Sequence, residues 1–215
     1  MLGHELRRPL TVIRGAATLL VDDLDALPPA SRQQMLGLID RSAAAMAELI
    51  DDVLTAVHLE RGDIEYLLEP VDLAGMLAEA LEAARRVDPE RPIDVTAPDG
   101  MVLEADREYA MRAVRAALVN AVQHTPSGSR VEVVVKVDES ADAVRLEVLD
   151  RGPGIPAPRR EQAFARFSRL DERAGGAGLG LYLARGLARG MGGDVTLRDR
   201  EDGGTAVCFT LRRRA

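Results

Sequence analysis

Apolar residues in the opening stretch of this chain recur at alternating steps of four and three: Leu6, Leu10, Ile13, Ala17, Leu20 and Leu24. That spacing keeps one stripe turned toward a partner and predicts a helix packed in a bundle. A second stretch repeats the pattern with Met35, Ile39, Met46, Leu49, Val53 and Val57. Between them lies LPPASRQ, whose paired prolines stop the first helix, while Ser31 can cap the second. Two helices joined by a short turn form a hairpin with one apolar face. A lone hairpin buries too little to stand by itself. The pattern therefore predicts pairing with a second copy into a four-helix bundle, with packing against the rest of the chain as the alternative.

Beyond residue 62 the period changes. AGMLAEALEAARR and residues 107–124 read as helices, and so does GLGLYLARGLARGMG. VEVVVKV, AVRLEVLD, DVTLRD and TAVCFTLRR read as strands, as do the short IDVTAP, MVLEAD and part of GDIEYLLEPVDL. Asp99-Gly100 between IDVTAP and MVLEAD signals a hairpin turn. Many neighbouring strands are joined by short turns. The expected fold class is thus α+β: an N-terminal two-helix hairpin over 1–62, then over 63–215 an α/β sandwich with a mixed or antiparallel sheet covered by helices on one face.

Composition narrows the function. The chain has 215 residues, 47% hydrophobic and 29% charged, with a formal net charge of -7 and only 3% aromatic residues. An acidic chain without a basic, aromatic-studded face is a poor nucleic-acid binder. The single cysteine, Cys208, excludes a disulfide framework and sits in an apolar strand-like run as a small hydrophobe. No run of eighteen apolar residues and no signal peptide is present, so the expectation is a soluble, cytoplasmic chain without membrane contact, whatever anchors a longer parent.

Four motifs carry chemistry. GHELRRPL places His4 about opposite the apolar seam of the first helix, facing solvent, with Glu5 beside it. A carboxylate there can fix the imidazole tautomer and make the other nitrogen a better nucleophile; an ordinary solvated pair is the bland alternative. DRGPGIP, Asp150 to Pro156, puts an acid at a strand end before glycines that let backbone approach closely. GGAGLGLYLAR puts Gly176, Gly178, Leu179 and Gly180 at a helix N-terminus, where free N–H groups and the helix dipole attract phosphate. ALVNAVQHTP ends a helix with Asn120 and His124, and the Asn120 amide oxygen can hold Mg²⁺. FARFSRLDERAGG, between the glycine stretches, reads as a mobile lid hinged at Gly152 and Gly154 and at Gly175-Gly176.

GHELRRPL, LVNAVQHTP, DRGPGIP, FARFSRLD and GGAGLGL, in that order and at this spacing, resemble the catalytic core of bacterial sensor histidine kinases over nearly the whole chain. The resemblance implies a dimerisation and histidine-phosphotransfer hairpin over 1–62 and a catalytic ATP-binding domain of the gyrase and mismatch-repair type over 63–215. It implies that His4 attacks the γ-phosphate of ATP, with Glu5 as general base, and passes the phosphoryl group to an aspartate of a response regulator. It further implies that Asn120 coordinates Mg²⁺ and that Asp150 reads the adenine amino group. Gly152 and Gly154 then start the lid, Arg169 reaches the phosphates, and Gly176, Gly178 and Gly180 lie on the phosphate side. His124 falls where a tyrosine often packs near the base.

The chain departs from the family pattern at several places. Gly3 replaces a usual Ser. Arg8 stands where many relatives carry the Thr or Asn that orients water for regulator dephosphorylation, which implies weak phosphatase activity. Ala116 replaces an additional Asn, and Gln123 a common Lys. The chain begins almost on the histidine motif, which implies a weaker homodimer. Two other readings stay open: an ATP-binding module without catalysis, and a related ATPase, against which stands Val119 in the place of a catalytic Glu. His58 reads as a structural histidine, Arg212 to Arg214 as a solvated tail, and Leu10, Ile13 and Arg14 as candidate regulator contacts.

Overall fold

The structure is a computed structural model and describes residues 2–22, 26–139, 141–170 and 176–214. It divides into two compact units, Met1–Val57 and His58–Ala215.

The first unit is a helical hairpin. Helix α1 spans Leu2–Asp22, and α2 spans Pro29–Arg61, continuing past the division between units. Pro29 is the first helical residue of α2, so Ser31 sits inside the helix and does not cap it; a proline at that position sacrifices only an N–H that has no helical partner anyway. The turn is tied by Arg32, whose Nε donates to the Leu27 carbonyl at 2.9 Å. Leu6, Ile13, Ala17 and Leu20 of the seam are half-buried, as are Met35, Ile39, Met46, Leu49, Val53 and Val57. Leu10 departs from the pattern and is exposed. Leu24 lies outside the described residues.

The second unit is a sheet backed by helices. A five-stranded mixed sheet has the order β2-β4-β5-β7-β6, with β2 Ile93–Thr96, β4 Val131–Asp138, β5 Ala143–Leu149, β6 Asp194–Asp199 and β7 Thr205–Arg212. β2 runs parallel to β4, and the remaining pairs are antiparallel. β1 Glu69–Asp72 and β3 Val102–Ala105 form a separate antiparallel pair. The expected hairpin across Asp99-Gly100 is therefore not formed. Gly100 does turn the chain at φ +66°, but β2 and β3 on either side of it join different sheets. A turn signal sets the reversal and not the pairing partner.

Helices α4 Arg107–His124 and α6 Gly180–Gly190 pack on this sheet, α3 Leu73–Val87 packs against α4 and β1, and the one-turn α5 Arg160–Ala163 follows β5 in the chain. Asp72 and Asp106 cap α3 and α4 by accepting the N–H of Gly75 and of Tyr109. Leu118 of α4, Leu183 and Leu187 of α6, Leu146 of β5 and Phe209 of β7 are fully buried between the layers. No helix among the described residues is long and apolar enough to cross a membrane.

Candidate functional site

Strand β5 alternates buried Val144, Leu146 and Val148 toward the helices, and continuing the alternation brings Asp150 to the same face just past the strand end. Its side chain is 4% exposed. Such a burial costs free energy unless the carboxylate is hydrogen-bonded. The N–H of Gly152 donates to Oδ1 at 2.8 Å, and the N–H of Thr205 donates to the same oxygen at 3.0 Å. Burial pushes the Asp150 carboxyl up from its ordinary value; those two N–H groups, then His124 and Arg200, pull it back. Both backbone donors go to one oxygen, so the other is available to a ligand.

The backbone around this acid admits no side chains. A Cβ on Gly152 would lie 2.7 Å from the His124 carbonyl oxygen and 3.1 Å from Asp150 Oδ1. Gly204, at φ +102°, presses on the Asp150 carbonyl so closely that any Cβ would overlap it. Gly154, at φ +76°, faces the Gly204 carbonyl. The structure thus brings Asp150, Gly152, Gly154 and the end of α4 at His124 together. Sequence reasoning missed Gly204 and Thr205. The GGT before the final strand is the signal that could have found them.

The end of α4 is itself held from outside. Arg91, a buried cation, donates to the carbonyls of Pro126 at 2.6 Å, Ser129 at 2.9 Å and Thr125 at 3.1 Å, and pairs with Asp88 at 2.9 Å. These carbonyls follow the helix C-terminus, where positive charge is favourable.

The second glycine stretch meets α4 from the other side. A Cβ on Gly180 would be 3.6 Å from the Ala116 carbonyl, and one on Gly176, at φ +107°, would be 3.7 Å from Gln123 Oε1. Asn120 lies on the same helix between them, half-buried, one turn from Ala116 and from His124. Gly178, at φ +70°, packs on Phe167 and Ser168, 2.6 Å from the Ser168 carbonyl to a would-be Cβ. Phe167 is one of two non-glycine residues at positive φ among those described, at φ 60°. The Arg166 guanidinium lies over its ring at 4.6 Å. Leu179 occupies the N-cap position of α6 without a side-chain cap. Its side chain is fully buried, so it offers only backbone to a ligand. The first N–H groups of α6 are left to bind an anion. Arg169 follows in the same segment, half-buried. Of the expected lid, residues 171–175 lie outside the described residues, including the hinge at Gly175.

His4 and Glu5 belong to the first unit. They sit on the first turn of α1, His4 exposed and Glu5 half-buried. Arg8 is exposed one turn further on.

Comparison with known proteins agrees with this arrangement. The His Kinase A (phospho-acceptor) domain matches residues 1–62, and the histidine kinase-, DNA gyrase B- and HSP90-like ATPase family matches residues 105–215. The signal transduction histidine-protein kinase/phosphatase MprB of Mycobacterium ulcerans is 34% identical over 97% of this chain and 42% of its own length. The aerobic respiration control sensor protein ArcB of Escherichia coli is 30% identical over 98% of this chain and 28% of its own. The chain thus spans less than half the length of these two relatives. Among solved structures, a mycobacterial sensor histidine kinase MprB superimposes with a TM-score of 0.62 at 32% identity, covering 69% of this chain and 99% of that one. Full-length ShkA in complex with AMPPNP superimposes at 0.70 with 27% identity, covering 99% of this chain and 44% of that one. Taken with the buried acid, the glycine-lined helix terminus and the exposed helical histidine, these matches establish that the chain belongs to the histidine kinase family, with an ATP-binding ATPase domain joined to a phospho-acceptor domain.

Proposed function

We propose that this chain is the ATP-dependent autokinase core of a two-component system, built as a dimerisation and phosphotransfer hairpin over 1–62 and a catalytic domain over 63–215. The observation that carries the reading is Asp150: a buried acid with one oxygen saturated by backbone N–H groups and the other free. That free oxygen accepts from the adenine amino group. His124, Gly152 and Gly154 surround the base, while the N–H groups from Gly176, Gly178, Leu179 and Gly180 take the phosphates, with Arg169 as their cationic partner. His4 is the nucleophile. Its ring nitrogen forms a bond to the γ-phosphorus as the bond to the β-γ bridging oxygen breaks, ADP departs, and Glu5 takes the ring proton. The phosphoryl group then passes to an aspartate of a response regulator receiver domain. An ATP-consuming chain of this kind acts in the cytoplasm.

The residues present suit Mg²⁺. The Asn120 amide oxygen would hold the ion beside the nucleotide phosphates, as Mg²⁺ is commonly bound through one or two protein oxygens together with phosphates. The ion would neutralise phosphate charge there.

Incubation with γ-labelled ATP tests the reading. The native chain should take up acid-labile, base-stable label, and His4→Gln should take up none; label that persists in His4→Gln overturns the assignment. Mixing the labelled chain with its receiver domain extends the test. Arg8 presents a cation where a hydroxyl or amide would orient water, so phosphate release from the regulator should be slow and should speed up in Arg8→Thr. Fast release by the native chain refutes that part.

A further inference from the structure

The face of the sheet away from the helices carries ionic rungs between strands, two of which involve Arg198 and Arg200. Glu132 on β4 stands opposite Leu149 on β5 in register, and both are half-exposed between buried neighbours, so both point to this outer face. Arg198 bonds Glu147 at 2.7 Å, and two residues later Arg200 Nη2 bonds Glu132 Oε1 at 2.6 Å. Glu147, Leu149, Arg198, Arg200 and Ala206 line one shallow groove there. The second rung is unusual in its reach. Glu132 is on β4 and Arg200 opens the β6–β7 turn, so in the order β4-β5-β7-β6 the bond spans two intervening strands. It crosses at the end of β5 where Asp150 begins.

The turn that Arg200 opens is the one that holds Asp150. The Arg200 N–H donates to the Gly204 carbonyl and the Gly203 N–H donates to the Arg200 carbonyl, closing the turn. Gly204 abuts the Asp150 backbone. Thr205 then exchanges two bonds with Asp150: its N–H donates to Oδ1 at 3.0 Å, and its carbonyl accepts the Asp150 N–H at 2.9 Å. Arg151, next to Asp150 in the chain, also approaches Glu132 at 3.6 Å and Asp202 of the same turn at 3.9 Å. We infer that the Glu132–Arg200 pair is a strap that positions Asp150 for purine discrimination from the opposite face of the sheet, by fixing the turn whose Thr205 N–H orients the carboxylate. This rests on the reading of Asp150 as the acceptor of the adenine amino group.

The pair is sheltered enough to act this way. The Arg200 side chain is 10% exposed and that of Glu132 28%, so removing one partner strands the other charge in a poorly solvated place. Arg200 also holds the Glu132 carboxyl below its ordinary range. Arg200 and Glu132 touch no nucleotide in this scheme; they are positioning residues. A carboxylate rotated out of its present orientation weakens its bond to an amino group, while phosphate contacts at α6 are unchanged. The variant therefore weakens ATP more than GTP, which presents a carbonyl at that position.

Displacement of a fluorescent nucleotide by ATP and by GTP from the full chain reads this ratio directly. Arg200→Met should lower ATP affinity roughly tenfold with a much smaller effect on GTP, and the reversed pair Glu132→Arg with Arg200→Glu should restore most of the ATP preference. Should Arg200→Met fail to fold, Glu132→Gln and the reversed pair carry the same comparison. Equal losses for both nucleotides, or no change in either, overturn the strap. Asp150→Asn measured alongside separates the two levels. If it leaves ATP preference intact, the adenine reading falls and the strap with it. If it abolishes the preference while the Arg200 and Glu132 variants keep it, only the strap falls.

Discussion

In the proposed role Asp150 must be both buried and charged, and these demands oppose each other. Burial raises its proton affinity in the folded chain above that in the unfolded chain. The folded state therefore binds the extra proton between the two values. The stability this group contributes is full below the unfolded value and is lost as pH rises through the higher folded value. Nucleotide affinity should run the other way: it should fall as pH drops through the folded value, because protonation weakens the acceptor proposed for the adenine amino group. Asp150→Asn separates the two effects. The Asn carbonyl can still accept from Gly152 and Thr205, and no charge is buried, so the melting temperature should hold or rise by about 2–4 °C. The amide N–H₂ would meet the adenine amino group donor to donor, and ATP affinity should fall by roughly a hundredfold or more. Calorimetric melting and nucleotide titration on the same protein check both. A variant that melts lower and still binds ATP contradicts the account.

Helix α6 does more than present its N-terminus. Its glycines at 186 and 190, one turn apart, seat residues from the end of α2 and the connector after it. A Cβ on Gly186 would come within 2.8 Å of a Leu59 methyl, and one on Gly190 would overlap the Tyr66 ring. Tyr66 also meets Tyr109 edge-on at 5.3 Å, and the N–H of Leu67 donates to the α4 cap Asp106 at 3.0 Å. Burial first, then Tyr109 and Asp106, push the Tyr66 hydroxyl up to about 12. Alanine is the better helix former by about 1 kcal/mol, so Gly186→Ala should be near neutral, since the flexible tip of Leu59 can yield. Gly190→Ala should cost about 1–3 kcal/mol through overpacking, and Tyr66→Leu added to it should recover part of the loss. Urea midpoints measure both; equal costs at 186 and 190 count against the seat. None of this was legible in the sequence, where GLGLYLARGLARGMG reads only as a helix. Helix α4, by contrast, was legible to its bounds at 107 and 124, because its apolar period is strong and Thr125-Pro126 stops it. Strand partners were the least legible: β2 and β3 read as a hairpin from one turn signal, yet pair with β4 and β1. Of the site, Asp150 and the glycines stood out by residue type. Gly204, Thr205, Arg91 and the Glu132–Arg200 pair did not, since each acts through a contact distant in sequence.

At the scale of the whole molecule, the hairpin leaves apolar surface that it cannot cover by itself. Val12 and Leu19 on α1 are 39% and 47% exposed, and Leu36 and Ile50 on α2 are 53% and 47% exposed. The first pair is seven residues apart and the second fourteen, so each repeats one heptad position and forms a stripe along its helix. Ala16 is the one buried residue of α1 among those described. Repeating apolar stripes on both helices of one hairpin are what a second copy covers in a four-helix bundle. Each of these side chains is already about half covered, so burying the remainder at such an interface contributes on the order of 1 kcal/mol, counted once per chain. Leu19→Glu together with Leu36→Glu would place charges in that interface while leaving helix propensity nearly unchanged. The native chain should scatter light as a dimer and the double variant as a monomer, with the same helical circular dichroism. The proposed ATP site lies in the other unit, so nucleotide binding by the double variant should stay within about twofold of native. Whether label still reaches His4 in the monomer then decides which chain supplies the ATP: transfer within one chain survives dissociation at a rate independent of protein concentration, whereas transfer between chains is lost. A double variant that remains dimeric shows that these stripes face something other than a second copy.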